Sequence, residues 1–303
     1  MTDNEMVTRE LNKEPFASIV KRKAQRSRVL LKRGIERRMG KYSYRNFFFV
    51  LGIGGSGTQW CAAAFTTEKS HCWHEASQIL NAGPKRDKAH FNWLANPQQL
   101  DPDWRRRFVR RGRLQPMFDA MAQSDKPLVG NADMFAGWFC DAMHDLNPTW
   151  KFILVVRDGI KSVSRWMRML PWRYYHHFQR AYLPRWDDLS DFERCCMVWS
   201  DRNRRIHERL MRIPEGHRRV ETLEALTSDL SRLHEVWDWI GLEDWETYEK
   251  RNIEYQGTRI TRHKENSELK DSKEIWNAWS SEQKDKFLEI CGQDMESFGF
   301  KIP

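Results

Sequence analysis

The sequence predicts an α/β fold: a doubly wound, mostly parallel sheet flanked by helices, with a helical C-terminal half. Three observations carry this. Short apolar runs at residues 47–53 (FFFVLGI), 127–130 (PLVG) and 152–156 (FILVV) have the length and composition of strands covered on both faces. Helical patterns lie between and after them, at residues 59–65, 117–123, 135–145 and 160–169, so strand and helix alternate. From Asp191 onward the pattern is mostly helical, over residues 192–212, 223–240 and 281–298, and is broken by a polar segment at 255–271 that reads as a functional loop.

A chain of 303 residues, 40% hydrophobic and 31% charged, can build one large domain with an appendage and needs no covalent staple. Its six cysteines are scattered without a CxxC pair, so neither a zinc site nor a disulfide framework is suggested and no metal is expected. The N-terminus is polar and lacks an apolar signal core, which favours the cytoplasm. Residues 46–67 carry no charge and approach the length of a membrane span, but four glycines with Ser56, Thr58 and Gln59 read as strand, loop and helix.

Charge divides the chain in two. Residues 1–46 hold 13 Lys+Arg against 5 Asp+Glu, leaving 38 against 37 for residues 47–303. Within the basic segment Phe16, Val20, Ala24, Leu31, Ile35 and Met39 fall near one helical stripe. This extension can dock on its own domain, lie on an anionic membrane surface as a peripheral contact, or touch nucleic acid; the last is the least expected. A second basic run, Trp104 to Arg113 (WRRRFVRRGR), has two readings: a solvated helix face, or an arginine cluster beside a site for an anionic acceptor.

Directly after the first strand comes Gly52-Ile53-Gly54-Gly55-Ser56-Gly57-Thr58-Gln59, opening into a small-residue helix. Glycines let the backbone turn sharply and aim successive N–H groups at an anion, so phosphate binding is common to every reading of this loop. As GxGxxG it is a dinucleotide fingerprint with Glu75 near the ribose-binding position, but the preceding Ser70-His71-Cys72-Trp73-His74 reads poorly as the second strand this needs. As a P-loop it puts Thr58 where the phosphate-binding lysine belongs.

A third reading rests on two ordered passages. The stretch Phe49 to Trp60 resembles the 5′-phosphosulfate loop of the sulfotransferases, with their P-loop-like fold, and Lys151-Phe152-Ile153-Leu154-Val155-Val156-Arg157-Asp158-Gly159 is similar to that family's 3′-phosphate motif. Further similarity covers residues 126–130, Trp73-His74-Glu75, residues 221–242 and the ending Trp276 to Phe300, so the resemblance spans roughly residues 47–303.

The resemblance implies sulfuryl transfer from 3′-phosphoadenosine 5′-phosphosulfate (PAPS) to a hydroxyl of a carbohydrate, lipid or small metabolite. Gly54, Gly55, Ser56, Gly57, Thr58 and Gln59 would hold the 5′ end. Arg157 and Ser164 would hold the 3′-phosphate, completed by Arg259 and Arg262 from the polar loop. Glu75 is the expected base, with His74 orienting it or titrating in its place, and Asn131 and Asp133 are expected near the acceptor.

Two departures stand out. The family carries Lys or Arg where this chain has Gly55, so charge on the leaving oxygen must be met by backbone N–H groups, the helix dipole, or a cation from elsewhere such as Lys161 or Arg262; Gly55→Lys would then raise the rate. The family serine lies eight residues after the arginine, whereas Ser164 lies seven after Arg157 and position 165 is arginine. The alternatives are a P-loop nucleotide or small-molecule kinase, which lacks its lysine here, and a noncatalytic nucleotide-binding relative.

Overall fold

The computed structural model describes residues 46–76, 97–168, 183, 185–245 and 271–303. The basic extension, except its last residue, and most of the polar loop, with Arg259 and Arg262, lie outside these residues. In chain order the elements are β1 (Asn46–Leu51), α1 (Thr58–Ala64), β2 (Ser70–His74), α2 (Pro102–Arg110), α3 (Gln115–Met121), β3 (Leu128–Asp133), α4 (Cys140–His144), β4 (Lys151–Val156) and α5 (Gly159–Arg168). There follow α6 (Asp191–Leu210), β5 (Arg218–Thr222), α7 (Leu223–Ser228), α8 (Leu230–Ile240), α9 (Ser272–Ala278) and α10 (Ser281–Ser297). No helix of the described residues is long and apolar enough to cross a membrane.

The five strands form one sheet in the order β2-β3-β1-β4-β5, and all four pairings are parallel. Alternation along β1 assigns the two cores. Phe47, Phe49 and Leu51 join Phe118, Trp150 and Trp199 on one face, whereas Phe48 and Val50 join Cys61, Leu233 and Trp237 on the other. Helices α2 to α6 and α10 cover the first face; α1, α7 and α8 cover the second.

Two strands depart from the sequence reading. Residues 70–74 do form a strand, and β5 fills the gap between two stretches read as helical, 192–212 and 223–240. Both are sheet edges, where one side of the ladder and part of each face are solvated. Polar residues such as His74 and Arg219 therefore sit in strands that an apolar-run criterion overlooks. The helix expected over 223–240 is two, divided at Asp229, whose carboxylate caps α8 through the Ser231 and Arg232 N–H groups.

The chain leaves β1 toward β2 and leaves β4 toward β5, in opposite directions from adjacent strands. Diverging connections open a crevice at the carboxyl ends of β1 and β4, the usual ligand position in such sheets.

Candidate active site

The turn after β1 forms one wall of that crevice. Gly55 (φ 88°) and Gly57 (φ 95°) are left-handed, a conformation that costs any residue with a Cβ. Space restricts both positions as well. A Cβ on Gly57 would stand 2.4 Å from Leu223 Cδ1, and one on Gly55 would stand 3.3 Å from Trp166 Nε1.

Two donors from the β4–α5 unit take the loop's carbonyls: Trp166 Nε1 donates to Gly54 O (3.0 Å) and Arg157 Nη1 to Gly55 O (3.2 Å). Carbonyl and N–H of a trans peptide point in opposite directions, so the Gly55 N–H is directed away from Trp166. No side chain caps α1, and its first turn holds no acidic residue. Ser56 Oγ is buried without a hydrogen-bond partner among the described residues, a costly state for a hydroxyl unless another group meets it. Thr58 is buried with its Oγ1 3.4 Å from His74 Nε2, and Gln59 is exposed.

Arg157 ends β4 on the other wall. Its backbone carbonyl accepts from Trp199 Nε1 (2.9 Å), which fixes the strand end. Beyond the bond to Gly55 O, its guanidinium has no hydrogen-bond partner among the described residues. Burial and the nearby Arg165 and Arg168 pull its pKa below the ordinary arginine value, against the opposing Glu224 and Asp158. Those carboxylates are engaged elsewhere. Asp158 caps α5 through the Ile160 N–H (2.7 Å) and accepts from Ser272 Oγ (2.7 Å), while Glu224 accepts from the Asp158 N–H (3.3 Å). Burial, with Asp158 beside it, raises the Glu224 pKa.

Arg165 was not among the residues expected here, although its place eight positions after Arg157 was the available signal. A Cβ on Gly55 would lie 3.8 Å from Arg165 Cδ and 3.9 Å from its Nε, so this side chain passes directly over the loop. Ser164 is half-buried on α5. The helical step of about 100° per residue turns it roughly 160° from Trp166, whose indole meets the loop. The structure thus brings Arg165, and not Ser164, against the glycine turn.

Glu75 follows β2 directly. It is one of two described non-glycine residues with left-handed φ (57°), a conformation held on both sides: its N–H donates to Ala132 O (3.0 Å) and the Ala76 N–H donates to Asn131 Oδ1 (3.0 Å). Asn131 and Asp133, expected near the acceptor, are instead buried in β3 and bind protein backbone, Asp133 Oδ1 accepting from the Phe135 N–H (2.6 Å). They position the turn that carries Glu75. His74 Nε2 lies 4.0 Å from Glu75 Oε1, so His74 stands between the glutamate and Thr58 of the glycine loop.

The dinucleotide reading fails for a reason other than the one the sequence suggested. Glu75 does follow a strand, but β3 lies between β1 and β2, so the acid is not on the strand beside the glycine loop. The two cysteines near the loop, Cys61 and Cys72, are buried thiols. Burial pushes the Cys61 pKa up to about 12 and that of Cys72 well above its usual value. Among the described residues no three His, Cys, Asp or Glu side chains group to hold a metal ion.

No family model and no curated protein matches the sequence. Solved structures do. The sulfotransferase domain of the curacin biosynthetic pathway aligns with a TM-score of 0.51 at 14% identity, over 84% of this chain and 98% of its own. Sulfotransferase STF9 from Mycobacterium avium aligns at 0.49 and 10% identity, over 86% of this chain and 78% of its own. Retinol dehydratase, solved with retinol and PAP, aligns at 0.41 and 14% identity over 88% of each chain. The fold is that of the sulfotransferases, as the curacin-pathway domain shows.

Proposed function

We propose that this chain transfers a sulfuryl group from PAPS to a hydroxyl of a carbohydrate, lipid or small metabolite, with Glu75 as the base. One observation carries the reading: the β1/β4 crevice collects hydrogen-bond donors with no acceptor among the described residues, namely the remaining guanidinium N–H groups of the half-buried Arg157 and the buried Ser56 hydroxyl. Surplus donors drawn from water in this way suit an anionic ligand. The fold favours a phosphosulfate over other anions, and Thr58 in the lysine position disfavours a kinase.

When bound, PAPS supplies an activated sulfuryl group on a phosphate leaving group. The N–H groups and hydroxyls of Gly54 to Thr58, with Gln59, hold its 5′ end. Arg157 offers planar paired donors to the 3′-phosphate, with Ser164, Arg259 and Arg262 as further ligands. Glu75 takes the proton of the acceptor hydroxyl, and His74 orients the carboxylate from its place beside Thr58.

Release of 3′,5′-phosphoadenosine across a panel of hydroxyl acceptors tests this. Glu75→Gln should keep donor affinity and lower turnover by roughly 10²–10⁴-fold, the range for loss of a general base. Wild-type turnover in this variant removes Glu75 from the role and makes His74 the next candidate. Donor binding without turnover in the wild type identifies a noncatalytic relative.

A further inference from the structure

Sulfuryl transfer makes a specific demand on the loop. As the acceptor oxygen bonds to sulfur, the bond from sulfur to the bridging oxygen breaks, the electron pair stays on the 5′-phosphate oxygen, and the acceptor's proton passes to Glu75. Negative charge therefore grows at the 5′ end, where a fixed cation is worth most. Gly55 carries none, and its left-handed φ of 88° with Trp166 Nε1 3.3 Å from a Cβ makes a side chain there both strained and crowded.

The space above Gly55 is taken by the Arg165 side chain, whose Cδ and Nε pass 3.8 and 3.9 Å from that same Cβ position. Trp166, the next residue, anchors α5 to the loop through Gly54 O and so fixes the approach. Arg165, exposed on α5, makes no salt bridge among the described residues and lies close enough to the Arg157 guanidinium for the two charges to repel, an arrangement relieved when an anion enters. Lys161, one turn earlier, lies close enough to Glu224 for its charge to favour that carboxylate.

We infer that Arg165 supplies, from α5, the cation for the donor's 5′ end that the glycine loop lacks. This rests on the sulfuryl-transfer reading, and the test separates the two. Calorimetric titration compares 3′,5′-phosphoadenosine with adenosine 3′-monophosphate on the wild type, Arg165→Ala and Arg165→Lys.

Arg165→Ala should weaken the bisphosphate on the order of 10–100-fold, and the 3′-monophosphate by less than about threefold, as loss of one charge-assisted contact to the 5′-phosphate requires. Arg165→Lys should fall between, since it keeps the charge and loses the paired donors. An alanine variant that binds both ligands as the wild type does, or that loses both equally, overturns the assignment while leaving sulfuryl transfer standing. A wild type that binds neither ligand overturns the reading beneath it, and the assignment with it.

Discussion

Two groups of arginines lie on the same side of the sheet and meet opposite surroundings. Along α2, Arg105 is buried against Asp141 through two contacts of 3.1 and 2.5 Å, Arg106 reaches Asp145 at 2.6 Å, and Arg107 reaches Asp101 at 3.4 Å. At the end of β4 and along α5, Arg157, Arg165 and Arg168 make no salt bridge among the described residues. The run that begins on α2 is the denser in sequence, six arginines within ten residues, but Arg105, Arg106 and Arg107 are matched to carboxylates. Pairing, not density, separates the proposed anion site from them, because an arginine already matched to a carboxylate has little left to offer a ligand.

Substitutions at matched positions sharpen this contrast. Arg105→Ala has the largest expected effect, a loss of about 3–5 kcal/mol of stability in urea unfolding, because it takes the paired donors from the largely buried Asp141 and leaves the half-exposed Arg212 at 3.3 Å and the Ala142 N–H at 2.9 Å. Its affinity for 3′,5′-phosphoadenosine should not change. Weakened binding with full stability would make α2 the anion site instead.

Arg157→Ala should do the reverse. The bisphosphate is expected to bind about 1.5–3 kcal/mol more weakly while adenosine 5′-monophosphate is little affected, as loss of a charge-assisted contact to the 3′-phosphate requires. The free protein should melt at the same temperature or higher, since a half-buried cation repelled by Arg165 and Arg168 is removed. Equal affinity in variant and wild type would take Arg157 out of the site.

Gly55→Lys, expected from sequence to speed the reaction, should instead cost about 1–2 kcal/mol of stability for a left-handed non-glycine residue. It should also disturb Trp166. Faster turnover with an unchanged melting temperature would show that the loop tolerates its own cation. Arg107→Ala has the smallest expected effect: its pair with Asp101 is half-exposed, so stability should change by no more than about 0.2–1 kcal/mol, with binding untouched.

How much the sequence revealed follows the same division between covered and solvated surroundings. The central strands β1, β3 and β4 were legible because both faces are apolar, and the glycine turn was legible because its backbone needs residues without a Cβ. The edges β2 and β5 were not, since His71, His74, Arg218 and Arg219 solvate or pair there. Arg157 was placed in the candidate site by the resemblance, and Glu75 by the resemblance and by its distance from the glycine loop. Arg165 was visible only as a departure from a motif, and its relation to Gly55 depends on how α5 is rotated about its axis, which the Trp166 contact fixes in three dimensions.

On the proposed reading, the unmatched donors between the glycine turn and α5 await an adenosine carrying both 3′- and 5′-anions. Thermal unfolding of the full chain with 3′,5′-phosphoadenosine, with ATP plus Mg²⁺ and with NAD at equal concentrations is the decisive comparison, because a ligand that binds only the folded state raises the melting temperature more the further its concentration exceeds its Kd. A clear rise is expected with 3′,5′-phosphoadenosine, shrinking as salt screens the arginines, and little change with the other two. No rise with the bisphosphate, or a larger rise with ATP plus Mg²⁺, would contradict it.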